Sequence, residues 1–407
     1  MVTFKTLTFK RFTEIIFLNL FLFPIYPDNV KPTFVVLFFI TAIYTLIKKR
    51  SSVFNSATKF KNLLVINTSV FLMLVVSLLY SNNTSFGLKY IFRSLPLLLF
   101  PIAFFVLKEN KTIFSIKLFL KAKLYFYIST LILFVVVFFI FYFRGFVTEN
   151  YFLNYSYRII GQLGRYSMHP IYASLITSIS IIFSISLFKI KKYRLLIIIG
   201  NTLLVLNLIL LSRKSAIIIM SVLFFVFIIF NKAIKIKVKA FFIFLVLLLF
   251  FVTIKFIPDI SNRFNDFSVL FDNTKASSTN LRINLINTTL NAINEKPLFG
   301  YGIGDTKDVL SALEDKNSFF KGKYYNTHNQ FLNTTLATGI IGLLLFIFFL
   351  LKNLQLIVFR SFEQLSIVLL FVALMFIENI LDRQNGIIYF SIFINYFSFY
   401  NQTNKVE

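Results

Sequence analysis

Cysteine and tryptophan are absent from the 407-residue chain, and only two of its residues are histidine. Without cysteine the protein has no disulfide bonds, no thiolate metal ligands and no thiol nucleophile. Without tryptophan, tyrosine must supply most of the aromatic anchoring at a membrane interface. Acidic residues are also scarce, with 16 Asp and Glu against 42 Lys and Arg. The sequence shows neither the intramembrane carboxylates that an ion-coupled transporter would often use nor a carboxylate cluster that indicates a metal site.

Apolar residues dominate what is present. Hydrophobic residues make up 57% of the chain and charged residues 14%, whereas about a quarter of a soluble globular protein is charged. Many apolar runs approach the roughly 20 residues that cross a bilayer. We predict an all-α polytopic membrane protein in which 1–407 forms a single integral membrane domain. Its twelve predicted transmembrane helices lie at about 14–27, 32–47, 62–80, 89–107, 124–143, 170–188, 195–211, 215–231, 240–257, 329–351, 364–380 and 387–400.

The formal charge of +26 is distributed in a way that argues against nucleic-acid binding. Most lysines lie in short clusters between apolar runs, as in cytoplasmic loops. Examples are KKR at 48–50, KIKKYR at 189–194 and KAIKIKVK at 232–239. With the N-terminus inside, predicted cytoplasmic segments hold 24 of the 42 basic residues but four of the 16 acidic ones. The basic clusters are therefore expected to face anionic membrane lipids.

Two outer segments are too long to be simple connections, and long loops of this kind are usually functional or contain structure of their own. The first outer loop covers 144–169 and the second covers 258–328. In the second, apolar residues at 281, 285, 286, 290 and 293 have helical spacing. We predict an amphipathic helix there, lying on the outer membrane surface.

His328 lies where a polar, tyrosine-rich segment, KYYNTHNQ, runs into a long apolar run. An imidazole with a reference pKa of about 6.5 can accept a proton at neutral pH. At the outer mouth of a span it would meet both a lipid-borne and a water-borne substrate, which makes His328 a candidate catalytic base. The alternative is an interfacial histidine that is hydrogen-bonded to Asn326 or Asn329.

Two arginines are candidates for binding an anion. Arg213 lies in LLSRKSAIIIM, a hairpin between two spans, and a charge near membrane depth usually has a partner or a task. Its planar guanidinium suits phosphate oxygens, although it could instead anchor the hairpin at the interface with Lys214. Arg282 lies near the N-terminus of the predicted surface helix, where an arginine and the helix dipole could together hold an anionic ligand. Its alternative is an ordinary solvated charge.

Further polar and glycine positions have weaker signals. Gly302 belongs to PLFGYGIGD, whose spacing is not that of a dinucleotide or Walker loop. The segment predicts a tight turn that lets backbone approach the membrane or a substrate. Arg165 and His169 end the first outer loop, directly before Pro170 in the first turn of the next span. His169 is therefore either a second polar group at the outer cavity or an interfacial cap.

Three segments, in this order and spacing, resemble the core of the O-antigen ligase and polymerase family: LLSRKSAIIIM, LRINLINTTLNAINEKPLFGYGIGD and NTHNQFLNTTLATGIIGLLLF. The family pattern has an arginine in a short hairpin, then an arginine-led helix with a Pro-Leu-x-Gly-x-Gly turn. A histidine-asparagine pair follows and opens a span with Gly-x-x-Gly. The resemblance covers about 210–346. The arginine-led helix of this chain lacks the aromatic residue that often follows the arginine in the family.

The resemblance implies a multi-pass glycosyltransferase of the bacterial inner membrane, similar in architecture to the glycosyltransferase C class, with its active site facing the periplasm. The donor would be a glycan on undecaprenyl diphosphate, and the acceptor would be lipid A–core or another glycan. Transfer would invert the anomeric centre without a metal or other cofactor. By the matching positions, Arg213 and Arg282 would bind the donor diphosphate and His328 would act at the acceptor hydroxyl, with Asn329 and Gly302 as supporting residues.

Arg165 and His169 fall outside the matched segments and are supporting candidates by position alone. Three other functions stay open at this point. A polymerase of the same family would join repeat units on undecaprenyl diphosphate, and a protein O-oligosaccharyltransferase would share the histidine motif. A transporter of lipid-linked glycans would need cationic residues along an intramembrane cavity, whereas the arginines here gather at the predicted outer face.

Overall fold

Helices form the regular structure of the computed structural model, which describes residues 4–54, 57–108, 112–143, 155, 164–211, 213–230, 278–313, 325–358 and 360–404. No β-strand occurs in these ranges. The helices are α1 (Phe4–Leu20), α2 (Lys31–Lys48), α3 (Arg50–Phe54), α4 (Thr58–Leu78), α5 (Thr84–Ser94), α6 (Pro96–Leu107), α7 (Ile116–Phe143), α8 (Pro170–Leu187), α9 (Arg194–Leu211), α10 (Lys214–Phe230), α11 (Ser278–Glu295), α12 (Thr306–Leu313), α13 (Gln330–Ile357), α14 (Phe362–Met375) and α15 (Gln384–Thr403). Short 3₁₀ turns lie at Phe23–Ile25, Gly164–Tyr166, Lys191–Tyr193 and Ile380–Asp382.

Seven helical segments within these ranges are long and apolar enough to cross a membrane: Lys31–Lys48, Thr58–Leu78, Thr84–Leu107, Ile116–Phe141, Pro170–Leu187, Lys191–Leu211 and Gln330–Ile357. Two shorter apolar helices cover Ser215–Ile229 and Phe362–Met375. The predicted fold class, an all-helical polytopic membrane protein, is confirmed. The predicted span at 240–257 lies outside the described residues, and the other eleven overlap helices. The total of twelve spans stays a prediction.

Helix α15 lies at the centre of the bundle and is buried along nearly its whole length, from Asn385 to Phe399. Its aromatic side chains pack edge to face against neighbouring helices: Phe393 lies 5.7 Å from Phe126 of α7, and Phe390 lies 6.1 Å from Phe349 of α13, measured between ring centroids. An aromatic side chain buries a large area. Helix α15 therefore forms much of the core, and the neighbouring helices pack around it.

Buried asparagines connect three helices of the core. The Nδ2 of Asn67 in α4 donates to Oδ1 of Asn395 in α15 at 2.8 Å, and Nδ2 of Asn353 in α13 donates to Oδ1 of Asn67 at 2.8 Å. Amide groups in a membrane interior have no water to satisfy them, so they bind one another across helices. These bonds, each worth about 1 kcal/mol, fix the register of α4, α13 and α15.

Helix α11 occurs where the sequence predicts an amphipathic helix, but its buried face coincides only in part with the predicted apolar positions. Leu285, Thr289 and Ala292 are buried, and Ala292 packs in one cluster with Leu310 of α12 and Leu336 of α13. Leu290, one of the predicted apolar positions, is 44% exposed. The helix therefore packs on the protein through Leu285, Thr289 and Ala292, and Leu285 alone of these is a predicted apolar position.

The two glycine motifs form one interlocked structure, which we call the clasp (residues 297–305 with 336–340). Helix α13 is broken at Gly339, whose φ is 66°. At the break, the backbone N–H groups of Tyr301 and Gly302 donate to the carbonyls of Leu336 and Ala337, both at 2.9 Å, and Ile340 N–H donates to Pro297 O at 2.8 Å. Backbone groups freed by the break are thus satisfied by the turn, as buried polar groups must be.

Candidate active site

His328 and Glu378 form the centre of the site. The Nδ1 atom of His328 lies 3.1 Å from Oε1 of Glu378, and both side chains are mostly buried, at 24% and 13% exposure. Glu378 follows the end of α14, which stops at Met375, although the sequence predicts a span as far as 380. Because the helix ends early, the chain turns back beneath the segment that carries His328.

The backbone holds His328 in an uncommon conformation. Its φ is 48°, in the left-handed region where a non-glycine residue is strained by about 1–3 kcal/mol. The neighbouring side chains support this turn. Asn326 Oδ1 accepts from His328 N–H at 3.3 Å, and the hydroxyl of buried Thr327 donates to Oδ1 of Asn379 at 3.0 Å. The turn therefore aims the imidazole at Glu378 and away from the start of α13.

The environment of Glu378 determines which nitrogen of His328 carries a proton. Burial disfavours the charged carboxylate, but the hydrogen bond and charge of His328, followed by the charges of His169 and Arg282, outweigh burial and lower the pKa of Glu378. An ionised carboxylate only accepts hydrogen bonds, so Nδ1 of His328 is the donor. In the neutral imidazole the lone pair is then on Nε2, the atom that can accept a proton from a substrate.

A cavity of about 260 Å³ lies directly beside this pair. His328, Glu378, Asn379 and Tyr325 form one part of its wall, and Lys307 and Arg383 contribute positive charge. Because the walls are polar and carry both acids and bases, the cavity suits a hydroxylated or charged ligand better than an apolar one.

His169 also lines this cavity. It occupies the position before α8, yet its side chain makes no capping hydrogen bond. Burial, then the positive charges of Arg213 and Arg383, lower the pKa of His169 to about 4. The imidazole is therefore neutral at physiological pH. Its Nδ1 atom is buried without a hydrogen-bond partner among the described residues.

The charges of the two predicted arginines change the pKa values of two different residues of the site. Arg213 lies in the short turn between α9 and α10 and is half-buried, and its charge lowers the pKa of His169. Arg282 lies in the first turns of α11, and its charge lowers the pKa of Glu378. The two arginines are 69 positions apart in the chain, and neither is among the residues that line the cavity.

The other supporting candidates are Asn329, Gly302 and Arg165, and the first two have roles in holding the fold. Asn329 caps α13, because its Oδ1 accepts from the N–H groups of Phe331 and Leu332 at 2.9 and 3.1 Å. Gly302 belongs to the clasp, where a Cβ would lie 2.2 Å from Ser81 Oγ. The turn approaches other backbone, of α13 and α4, rather than lining the cavity. Only the backbone of Arg165 is described, in the 3₁₀ turn Gly164–Tyr166, and its side chain lies outside the described part of the chain.

Glu378 was not recognised from the sequence as the partner of His328. Glu378 binds His328, and Asp382 accepts from Asn326 Nδ2 at 3.0 Å. No spacing rule relates positions 50 residues apart. The sequence did contain one indication that the two residues could meet: the segments that carry His328 and Glu378 both lie at the predicted outer ends of spans.

The fold and the site together define a multi-pass helical membrane protein with a polar, charged cavity around a histidine–carboxylate pair. Residues 199–347 match a family model described as O-antigen ligase. This match contains Arg213, Arg282 and His328, and it supports the resemblance that the motifs indicate. Members of the family are glycosyltransferase-like ligases that act on lipid-linked glycans and glycan acceptors. No curated protein sequence gives a significant match to the chain.

Proposed function

We propose that the protein transfers a glycan from undecaprenyl diphosphate to a hydroxyl group of lipid A–core or a similar surface glycan. One observation carries this proposal: His328, which lies within the family match, is paired with Glu378 in the wall of a polar cavity. A histidine–carboxylate pair of this kind can accept the proton of a hydroxyl group, and the matched segment also contains Arg213 and Arg282, whose charges affect His169 and Glu378 of the same wall.

In this proposal His328 accepts the proton of the acceptor hydroxyl through Nε2 while the hydroxyl oxygen attacks the anomeric carbon. The bond from that carbon to the diphosphate oxygen breaks, and undecaprenyl diphosphate leaves with both electrons. Attack opposite to the leaving group inverts the anomeric centre. Glu378 stabilises the imidazolium that forms, as a carboxylate does for a catalytic histidine.

Arg213 and Arg282 would stabilise the charge that develops on the leaving diphosphate. Charge stabilisation that is stronger in the transition state than in the bound substrate raises the rate, and guanidinium groups match phosphate oxygens in geometry. The two arginines would supply the positive charge without a metal or other cofactor.

The location we propose is the bacterial inner membrane, with the cavity facing the periplasm. Under the topology predicted from the basic clusters, the segments that line the cavity, before α8, before α13 and after α14, all fall on the outer side. A lipid-linked donor in the outer leaflet would reach the cavity from the membrane, and the acceptor would enter from water or from the same leaflet.

The direct test is transfer in proteoliposomes that contain the purified protein, an undecaprenyl-diphosphate-linked glycan and lipid A–core. The wild type is expected to produce the glycosylated acceptor, and His328→Ala, inserted in equal amount, should give at least 100-fold less product because the base is gone. Near-normal transfer by that variant would contradict the assignment.

A deletion strain separates the family alternatives. If lipid A–core carries no O-antigen while long chains accumulate on undecaprenyl diphosphate, the protein is the ligase. If the core still receives single repeat units and the ladder vanishes, it is the polymerase. Unchanged lipopolysaccharide with loss of glycan from proteins would instead indicate protein O-glycosylation.

A further inference from the structure

A second cavity, of about 410 Å³, adjoins the first, and we call it the outer chamber. The two cavities share part of their walls, so a ligand can extend from one into the other. The shared wall consists of His169, Tyr172, Lys307, Asn326, Asp382 and Arg383. Most of these residues lie outside the family match at 199–347.

The two carboxylates of the outer chamber already have partners. Asp28 Oδ1 accepts from Lys31 Nζ at 2.7 Å, and its Oδ2 accepts from Asn385 Nδ2 at 3.1 Å. Asp382 accepts from Asn326, and burial raises the pKa of Asp382. Both acids therefore have hydrogen-bond donors within the protein.

The cations of the chamber have no such carboxylate partners. Arg93 donates to the backbone carbonyl of Asp382 at 2.6 Å, and Lys307 Nζ lies 5.3 Å from the ring centre of Phe86. Within the described residues the ion pairs are Lys31–Asp28, Lys123–Glu363 and His328–Glu378, and none includes Arg93, Lys307 or Arg383. The chamber is therefore net positive and favours an anionic ligand.

The remaining wall has the composition of a sugar site. Phe86 of α5 offers aromatic surface, and Gln384 at the start of α15 offers an amide oxygen. Aromatic faces pack against the C–H groups of a pyranose, while amides exchange hydrogen bonds with its hydroxyls. Arg213 and Arg282, the residues proposed for the donor diphosphate, are not in this wall.

We propose that the outer chamber binds an acidic sugar residue of the acceptor glycan, one that carries a carboxylate or a phosphate group. The inference rests on the proposed function, because that function places the reacting hydroxyl in the adjoining cavity. Arg93, Lys307 and Arg383 contact the anionic group, the aromatic and amide wall contacts the pyranose, and the shared wall lets the next sugar reach His328.

The test measures equilibrium binding and does not require transfer. The full-length protein in phosphatidylcholine nanodiscs is titrated with glucuronate, glucose 6-phosphate, glucose and inorganic phosphate, and Kd values are obtained from saturation-transfer NMR. At least one of the two acidic sugars should bind at least about tenfold more tightly than both glucose and inorganic phosphate, since a charge-assisted hydrogen bond and the sugar contacts each contribute.

Lys307→Gln and Arg93→Gln should each weaken binding of that acidic sugar by about tenfold. Lys89→Gln is the matched control, because Lys89 is exposed on α5, one turn before Arg93, and lines neither cavity. Equal affinity for glucose, equal affinity for inorganic phosphate, or no effect of both substitutions would overturn the proposal. Displacement of the acidic sugar by undecaprenyl diphosphate would assign the chamber to the donor and would also overturn it.

The binding result and the transfer result are separable. If the acidic sugar binds as expected while the proteoliposome assay shows no transfer, the proposed function fails and the chamber stands as a binding site. If transfer occurs but the acidic sugar does not bind preferentially, only the acceptor inference fails.

Discussion

Glu378 and His328 are hydrogen-bonded at 3.1 Å although 50 positions and the whole of α13 and α14 separate them. The contact forms because α14 ends at Met375 and the chain then returns toward the start of α13. It joins the single histidine of the family match to an acid outside that match. The tertiary structure therefore determines which ring nitrogen of His328 faces a carboxylate.

Replacing Glu378 by Gln should lower kcat for transfer by about 10–100-fold with a smaller change in acceptor KM. The amide can still accept from Nδ1, but it cannot neutralise the imidazolium that forms as the proton is taken. The measurement is the initial rate in proteoliposomes over a range of acceptor concentrations. An unchanged kcat would show that Glu378 only packs against the ring.

Arg213→Lys and Arg282→Lys should each raise the donor concentration needed for half-maximal rate and lower kcat, with about a tenfold loss in kcat/KM. Lysine keeps the charge but loses the planar fork that binds two phosphate oxygens. Lys296→Gln serves as a control for a lost charge near α11, since Lys296 is exposed and stacks on Tyr301. Donor titrations that match the wild type for both arginine variants would contradict diphosphate binding.

Gly339→Ala should destabilise the protein strongly, because its Cβ would lie 2.0 Å from the carbonyl oxygen of Leu298 and its φ is 66°. Gly164→Ala is the matched control: Gly164 also has a positive φ, of 58°, but has nothing within 4 Å of a Cβ among the described residues. The strain of a positive φ costs about 1 kcal/mol, so the difference between the variants reports the clash in the clasp. Thermal unfolding in nanodiscs measures it, and equal melting temperatures would show that the clasp tolerates the methyl group.

Acidification should destabilise the fold through His169. Its folded-state pKa, about 4, is below the ordinary value of 6.5, so the unfolded chain binds the proton more readily than the folded protein. The contribution of His169 to the free energy of unfolding is fully present above pH 6.5 and decreases as the pH falls toward 4. His169→Gln keeps a polar side chain without this titration. Its melting temperature should therefore fall less than that of the wild type between pH 7 and pH 4.5, and parallel decreases would remove His169 as the cause.

The helices could be predicted because the signal for each is local. An apolar run near membrane length must satisfy its own backbone, and only a helix does so within one segment. Three candidate site residues could be identified for a related reason: Arg213, Arg282 and His328. A charged or ionisable side chain at the end of an apolar run costs free energy and is rare, so it indicates a function without reference to the rest of the chain. Their order along the chain was sufficient to indicate the O-antigen ligase family.

The tertiary structure decided which of these residues meet and what the others do. In the folded protein Asn329 caps a helix and Gly302 belongs to the clasp. His169 lines both cavities, and its pKa is low enough to keep its imidazole neutral. Each outcome depends on how distant segments pack, and a side chain's burial, its neighbours and hence its pKa arise only from that packing. The sequence by itself determined the spans and the chemical groups at their ends, and the arrangement of the helices determined the site.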